Sequence, residues 1–255
     1  MRPFPFLIPD SITPDAYKAM VLQLAPDDGE DSDAEQQIRM EIERKFGREL
    51  ADAFDEQLQT LLPDNATDAQ VRAAANQVTA TSGPVREVLR RHLTQSSSLG
   101  VSMAFDQMNT IGMAFDWSLP HVQAAQWASQ YSYQLVQGIN STTQARLQQA
   151  VDDWFKERTT IGDLQQELAP IFGKQRAKLI AQTETTRAAY EGSKQGYQES
   201  GVVSQVEWVT VNDERVCPQC GPLDGTRATL GGTFDGGGTP PLHPGCRCFV
   251  RPVVE

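Results

Sequence analysis

Cys217-Pro218-Gln219-Cys220 and, beyond a glycine-rich loop, His243-Pro244-Gly245-Cys246-Arg247-Cys248 are the stretches on which the C-terminal fold turns. All four cysteines of the 255-residue chain and one of its three histidines fall between residues 217 and 248. The two turns share a design, Cys-Pro-x-Cys and His-Pro-x-Cys: ligand-type side chains three apart, with a proline fixing φ at the second position. A tetrahedral zinc ion takes four such ligands at about 2.0–2.3 Å, and two facing turns supply them. The spacing predicts Cys217, Cys220, His243 and Cys246 as ligands. Cys248 stands two residues beyond Cys246, so on a strand both point to one face; it either replaces Cys246 or packs beside the site. Two disulfides are the competing use of four cysteines, but a Cys-x-x-Cys pair accompanied by a histidine turn favours metal. Four protein ligands close the coordination sphere and leave no position for water, so the zinc is expected to be structural.

Working outward, the hydrophobic period changes after Gly201. Val203, Gln205, Glu207 and Val209 alternate with Val206, Trp208 and Thr210, a strand pattern. Asp213 and Glu214 form a turn before Cys217, and short strands are expected at 227–230 and 248–254. Upstream the pattern is helical. Ile38, Ile42, Phe46, Leu50, Phe54, Leu58 and Leu61 recur at spacings of four and three until Pro63 ends the run. Thr67 reads as the N-cap of a second helix, and a third begins near Pro84. Residues 95–112 are rich in small residues and methionine, compatible with one broken helix or two. Pro120 opens a helix closing at Gly138, and Ser141 with Gln144 resembles a capping box for the next. Thr160 and Asp163 start a short helix, and a last one runs from about 174 to 200. A short helix is expected within 11–24, after a proline-broken arm at 1–10 whose Phe4, Phe6 and Ile8 either dock on a partner or cover the chain's own core.

These signals predict an α+β fold, a mainly helical body with a small C-terminal zinc-stapled β module. The segments follow as 1–33 (arm, short helix and acidic linker), 34–114 and 115–200 (helical), and 201–255 (the zinc-binding module). The length allows one large or two smaller domains. No apolar run approaches the ~20 residues of a membrane span. The opening stretch is too short and proline-rich for a secretory signal, so a reducing cytoplasm is the expected compartment. The formal charge of −11 is uneven, with sixteen acidic and seven basic residues over 1–80 against seventeen and fifteen over 81–255. Such acidity disfavours broad binding to phosphate backbones.

Several further residues complete the pattern: Ile180-Ala181-Gln182-Thr183-Glu184-Thr185-Thr186-Arg187-Ala188, Trp208, Asp213, Leu223-Asp224-Gly225 and Pro240-Pro241-Leu242 leading into His243. With both turns, and with Asn140-Ser141-Thr142-Thr143 upstream, they make the chain resemble the phage Mu F-like family of minor head (head morphogenesis) proteins over about residues 115–255. Gln182 departs from the family, many of whose members have an arginine before Thr-Glu, which weakens any catalytic role there. The resemblance implies a virion-head protein of a tailed phage or prophage, in few copies per particle. It also implies association with the portal and procapsid during assembly in the host cytoplasm, and for some members contact with packaged DNA.

Two other functions compete. Thr183, Glu184 and Arg187 near a metal module invite an enzyme, but no HExxH, nucleophile elbow or phosphate loop occurs, and Glu184 with Arg187 at i, i+3 is more economically a helix-surface ion pair. Lys174, Arg176, Lys178, Arg187 and Lys194 give the last helix a positive balance, the chain's one candidate DNA-facing patch. The run 231–238 lacks a P-loop lysine and reads as a flexible connector. His92 and His121 read as surface or helix-end residues, and the four tryptophans as core.

Overall fold

Among the described residues helices dominate up to Ser200 and a small antiparallel sheet follows, as the change of period predicts. The computed structural model describes residues 7–24, 31–113, 115–157, 159–210, 216–235 and 237–254. Phe4, Phe6, most of the acidic run and the Asp213–Glu214 turn lie outside them. The helices are α1 (Pro14–Leu24), α2 (Asp31–Leu61), α3 (Asp68–Gln77), α4 (Gly83–Thr110), α5 (Ser118–Glu157), α6 (Ile161–Phe172) and α7 (Lys174–Ser200). The strands are β1 (Gln205–Val209), β2 (Arg227–Thr229) and β3 (Phe249–Val253). They form an antiparallel sheet in the order β2-β1-β3. The chain packs as two units, one of Met1–Glu43, His92–Ser129 and Gln182–Glu255, the other of Arg44–Arg91 and Gln130–Ala181. Neither is a continuous stretch, because α2, α4, α5 and α7 each contribute to both.

The second unit buries the central stripe of α2. Phe46, Leu50 and Phe54 join Val71 of α3, Leu89 of α4, Leu147 of α5 and Leu168 of α6 in one apolar cluster. Burying each of the larger side chains stabilises by about 1.5–3 kcal/mol. Local signals set the helix starts. Thr67 accepts from the Gln70 backbone N–H at 3.3 Å while Gln70 accepts from the Thr67 N–H at 2.8 Å. Thr160 and Asp163 make the same reciprocal pair. The predicted break at Gly138 does not occur; α5 runs unbroken through it. Gly138 is not among the glycines with positive φ that a glycine C-cap uses. Thr142 Oγ1 donates back to the Gly138 carbonyl at 3.0 Å, and the buried face continues through Val136, Ile139, Thr143, Leu147 and Ala150. An unbroken apolar stripe outweighs one glycine's propensity cost of about 1 kcal/mol.

In the first unit the N-terminal arm covers its own core at Ile8 and Ile12, which pack with Tyr17, Ile38 and Leu99. Residues 95–110 belong to a single helix, α4, and three of its polar side chains serve the arm. Gln95 Nε2 donates to the Pro9 carbonyl at 2.6 Å, Ser98 Oγ accepts from the Ile12 N–H at 2.8 Å, and Ser102 Oγ donates to the Ile12 carbonyl at 2.7 Å. An extended segment without a strand partner thus has its backbone groups satisfied. Small residues on α4 and α7 let the two helices cross at backbone contact. A Cβ on Gly192 would lie 1.9 Å from the Ser97 carbonyl oxygen, and one on Gly100 2.0 Å from that of Ala189.

Candidate metal centre

The sheet is the platform. Val206 and Trp208 of β1 point into the core, and Trp208 meets Phe234 edge-on at 5.1 Å. Tyr197 of α7, Leu223 and Val250 close around them. On the other face Glu207 lies opposite Arg227 of β2 and Arg251 of β3, and Arg251 donates to it at 2.6 and 2.9 Å. Asp224 ties the loop after the first turn to the end of β1, accepting from the Thr210 N–H at 2.7 Å and its hydroxyl at 2.9 Å. The glycine-rich run is not a loose connector. Phe234 is buried against Trp208, its N–H donates to the Gly238 carbonyl at 3.0 Å, and it accepts from the Gly237 N–H at 2.9 Å.

Both predicted turns form. Cys220 N–H donates to the Cys217 carbonyl and Cys246 N–H to the His243 carbonyl, each at 3.1 Å. The second turn has proline at its second position and Gly245 at its third with φ of 77°, the combination a type II turn requires. They bring the ligand atoms together. Cys217 Sγ lies 2.9 Å and Cys220 Sγ 3.3 Å from His243 Nε2, and Cys220 Sγ lies 3.8 Å from Cys246 Sγ. Two overlapping triads meet the spacing a metal ion needs, Cys217–Cys220–His243 and Cys220–Cys246–Cys248, with Cys220 common to both. All five predicted residues line one cavity of about 20 Å³, room for one water-sized guest. The donor set fits a metal. Ligand bonds of about 2.3 Å at tetrahedral angles place two sulfurs about 3.8 Å apart. His243 Nδ1 lies 2.9 Å from the Pro244 carbonyl, which fixes the proton there and turns the Nε2 lone pair toward the sulfurs.

The thiols polarise one another. The hydrogen bond from the Cys248 thiol is the largest influence on Cys246, which is pulled down to about 5; the same bond, with burial, pushes Cys248 up. Burial pushes Cys220 up to about 12. Burial opposes ionisation of Cys217 as well, but backbone N–H groups of Cys220 and Gln219 outweigh it and hold the thiol below its usual value. For His243 burial disfavours the imidazolium, but the Pro244 carbonyl and the sulfurs of Cys246 and Cys217 outweigh it and raise the group. Crowded thiols stabilise one thiolate at the expense of the others, an arrangement that a divalent cation relieves.

Helix α7 grips the second turn. Thr183 Oγ1 accepts from the Gly245 N–H at 2.9 Å, Gln182 Nε2 donates to the Gly245 carbonyl at 2.9 Å, and Thr186 Oγ1 donates to the Cys246 carbonyl at 2.8 Å. The helix motif and the cysteine turns, 29 or more residues apart in sequence, are therefore one construction.

Residues 125–251 match the family described as phage Mu protein F like protein. The chain belongs to the phage Mu F-like family. No curated protein and no solved structure matches it. Membership suggests a phage head morphogenesis protein. The F-like match takes in both turns, the helix motif and β1, and no helix among the described residues is long and apolar enough to cross a membrane.

Other sequence-predicted residues fall differently. Glu184 and Arg187 do pair, at 3.1 Å, but Glu184 is buried and not on the helix surface. The five-cation patch is broken up. Arg176 turns inward, donating to Thr143 Oγ1 and the Ile171 carbonyl, each at 2.9 Å, while Arg187 and Lys194 pair with Glu184 and Glu191. Lys174 and Lys178 are exposed. His92 is buried, against the expectation of a surface residue, whereas His121 is part-exposed near the start of α5 with Nε2 2.8 Å from Ser11 Oγ. Of the tryptophans Trp208 alone is fully buried; Trp117, Trp127 and Trp154 are half-buried. Sequence reasoning missed Arg39, a buried α2 side chain whose Nη2 donates to Thr186 Oγ1 at 3.0 Å.

Proposed function

We propose that the chain is a minor structural protein of a tailed-phage or prophage head that associates with the portal during head morphogenesis, acting in the host cytoplasm and remaining in the virion head. Its C-terminal module is closed by one structural zinc ion held by Cys217, Cys220, His243 and Cys246, with Cys248 beside it donating to Cys246. The observation that carries the reading is the convergence of Sγ and Nε2 atoms from two proline turns, inside the span that matches the F-like family. The residues suit the role. Soft thiolates and one imidazole select zinc among the common divalent ions. Four protein ligands leave no position for water or substrate, so the ion acts as a crosslink and the chain has no catalytic part in this reading. The crosslink joins the two turns, and α7 grips the second of them, giving a rigid block suited to docking.

Co-purification from infected or induced cells tests the assignment. The protein should sediment with procapsids and heads and be captured by tagged portal protein. Its absence from both particles and portal eluates would contradict the reading.

A further inference from the structure

We infer that Thr183 and Thr186 on α7, with Arg39 of α2 behind Thr186, are positioning residues of the metal centre: they hold the His243–Cys246 turn in its ligating shape and so set how tightly the ion is bound. The inference rests on the reading of the cluster as a zinc site.

The second turn carries two ligands yet lies outside the sheet, since β3 begins only at Phe249. Its shape is held instead by α7. The Gly245 N–H and carbonyl are both taken by side chains of that helix, as is the Cys246 carbonyl. Losing any of these bonds frees a peptide whose rotation swings His243 or Cys246 away from the other ligands. Thr186 is itself fixed. It is buried, and Arg39 Nη2 donates to the same hydroxyl oxygen that donates to the Cys246 carbonyl. A cation donating to the oxygen makes the O–H a better donor, so the two bonds reinforce each other.

The charge of Arg39 also suits the site. Three thiolates around a divalent ion leave one negative charge in excess. A buried guanidinium two hydrogen bonds away from Cys246, held over the Phe249 ring at 5.9 Å, offsets it. Arg39 lies outside the family match, so the N-terminal part of this chain takes part in the centre.

The test uses the full chain. Zinc affinity is measured by competition with a chromophoric chelator, and the visible spectrum is recorded with cobalt(II) in place of zinc. Thr186→Val, nearly isosteric but without the hydroxyl, should weaken zinc about 10–100-fold and alter the cobalt bands, while Thr186→Ser stays within about threefold of wild type. Arg39→Met should weaken it about tenfold. A hydroxyl with a merely structural role would lower the melting temperature and leave the affinity alone, so wild-type affinity in Thr186→Val overturns the inference. Should Thr186→Val not fold, Thr183→Val carries the same test, with about tenfold weakening expected and unchanged affinity overturning it. A wild-type chain that takes up no zinc overturns the site itself and this inference with it.

Discussion

Two glycine-to-alanine substitutions on long helices should shift stability in opposite directions. At Gly192 the added Cβ would sit 1.9 Å from the Ser97 carbonyl oxygen, 2.9 Å from its carbon and 3.0 Å from the Val101 nitrogen. All three are backbone atoms of α4, so no side chain can turn aside. An ordinary C···O contact is about 3.3 Å, which means α7 and α4 must part by about 1.4 Å. That movement also stretches the bond from Ser193 Oγ to the Gly100 carbonyl, 3.0 Å in the native crossing. Overpacking costs typically 1–3 kcal/mol, and a rigid neighbour puts Gly192→Ala at about 3. For a chain of this size that is a fall of about 6–12 °C in Tm. At Gly138 the added Cβ meets nothing within 4 Å, and the residue lies inside α5. Gly138→Ala should therefore raise stability by about 0.5–1 kcal/mol. Thermal unfolding followed by circular dichroism reads both. A Gly192→Ala variant as stable as wild type, or stabilised like Gly138→Ala, would refute the close crossing.

Arg176→Met should cost about 2 kcal/mol, because it strips the partner from Thr143 Oγ1 and the Ile171 carbonyl inside the second unit; a loss below about 0.5 kcal/mol by urea unfolding would show the guanidinium to be solvated instead. Burial holds His121 below its ordinary value, so the unfolded chain takes the proton first and stability is lost as pH falls below about 6.5. His121→Gln should flatten the decline of Tm between about pH 6.5 and 5.5, and an unchanged slope would contradict the assignment.

Features written in local chemistry were legible from the sequence. Thr67, and Thr160 with Asp163, announce helix starts because a cap is set by residues close in sequence. Val206 and Trp208 announce a strand by alternation, and the paired proline turns announce a cluster of ligand atoms. What could not be read depends on which distant segment lies opposite. Gly138 looks like a stop until Val136, Ile139 and Leu147 are seen on one continuous buried face. Gly100 and Gly192 look like weak points in helices, because nothing local says that another helix's backbone lies against them. Ser98 and Ser102 become understandable only once the arm at Ile12 needs partners for its N–H and carbonyl. Arg39 was invisible for the same reason, its hydrogen-bond partner lying 147 residues away.

Metal content of the purified full-length chain, measured by elemental analysis beside a Cys217→Ser variant and before and after chelation, tests the stapled module most directly. The account predicts one zinc per wild-type chain, a marked loss in Cys217→Ser, and a lower melting temperature once the ion is stripped. A wild-type protein that is metal-free, folded to the same melting temperature with or without chelator, and indifferent to Cys217→Ser would contradict it.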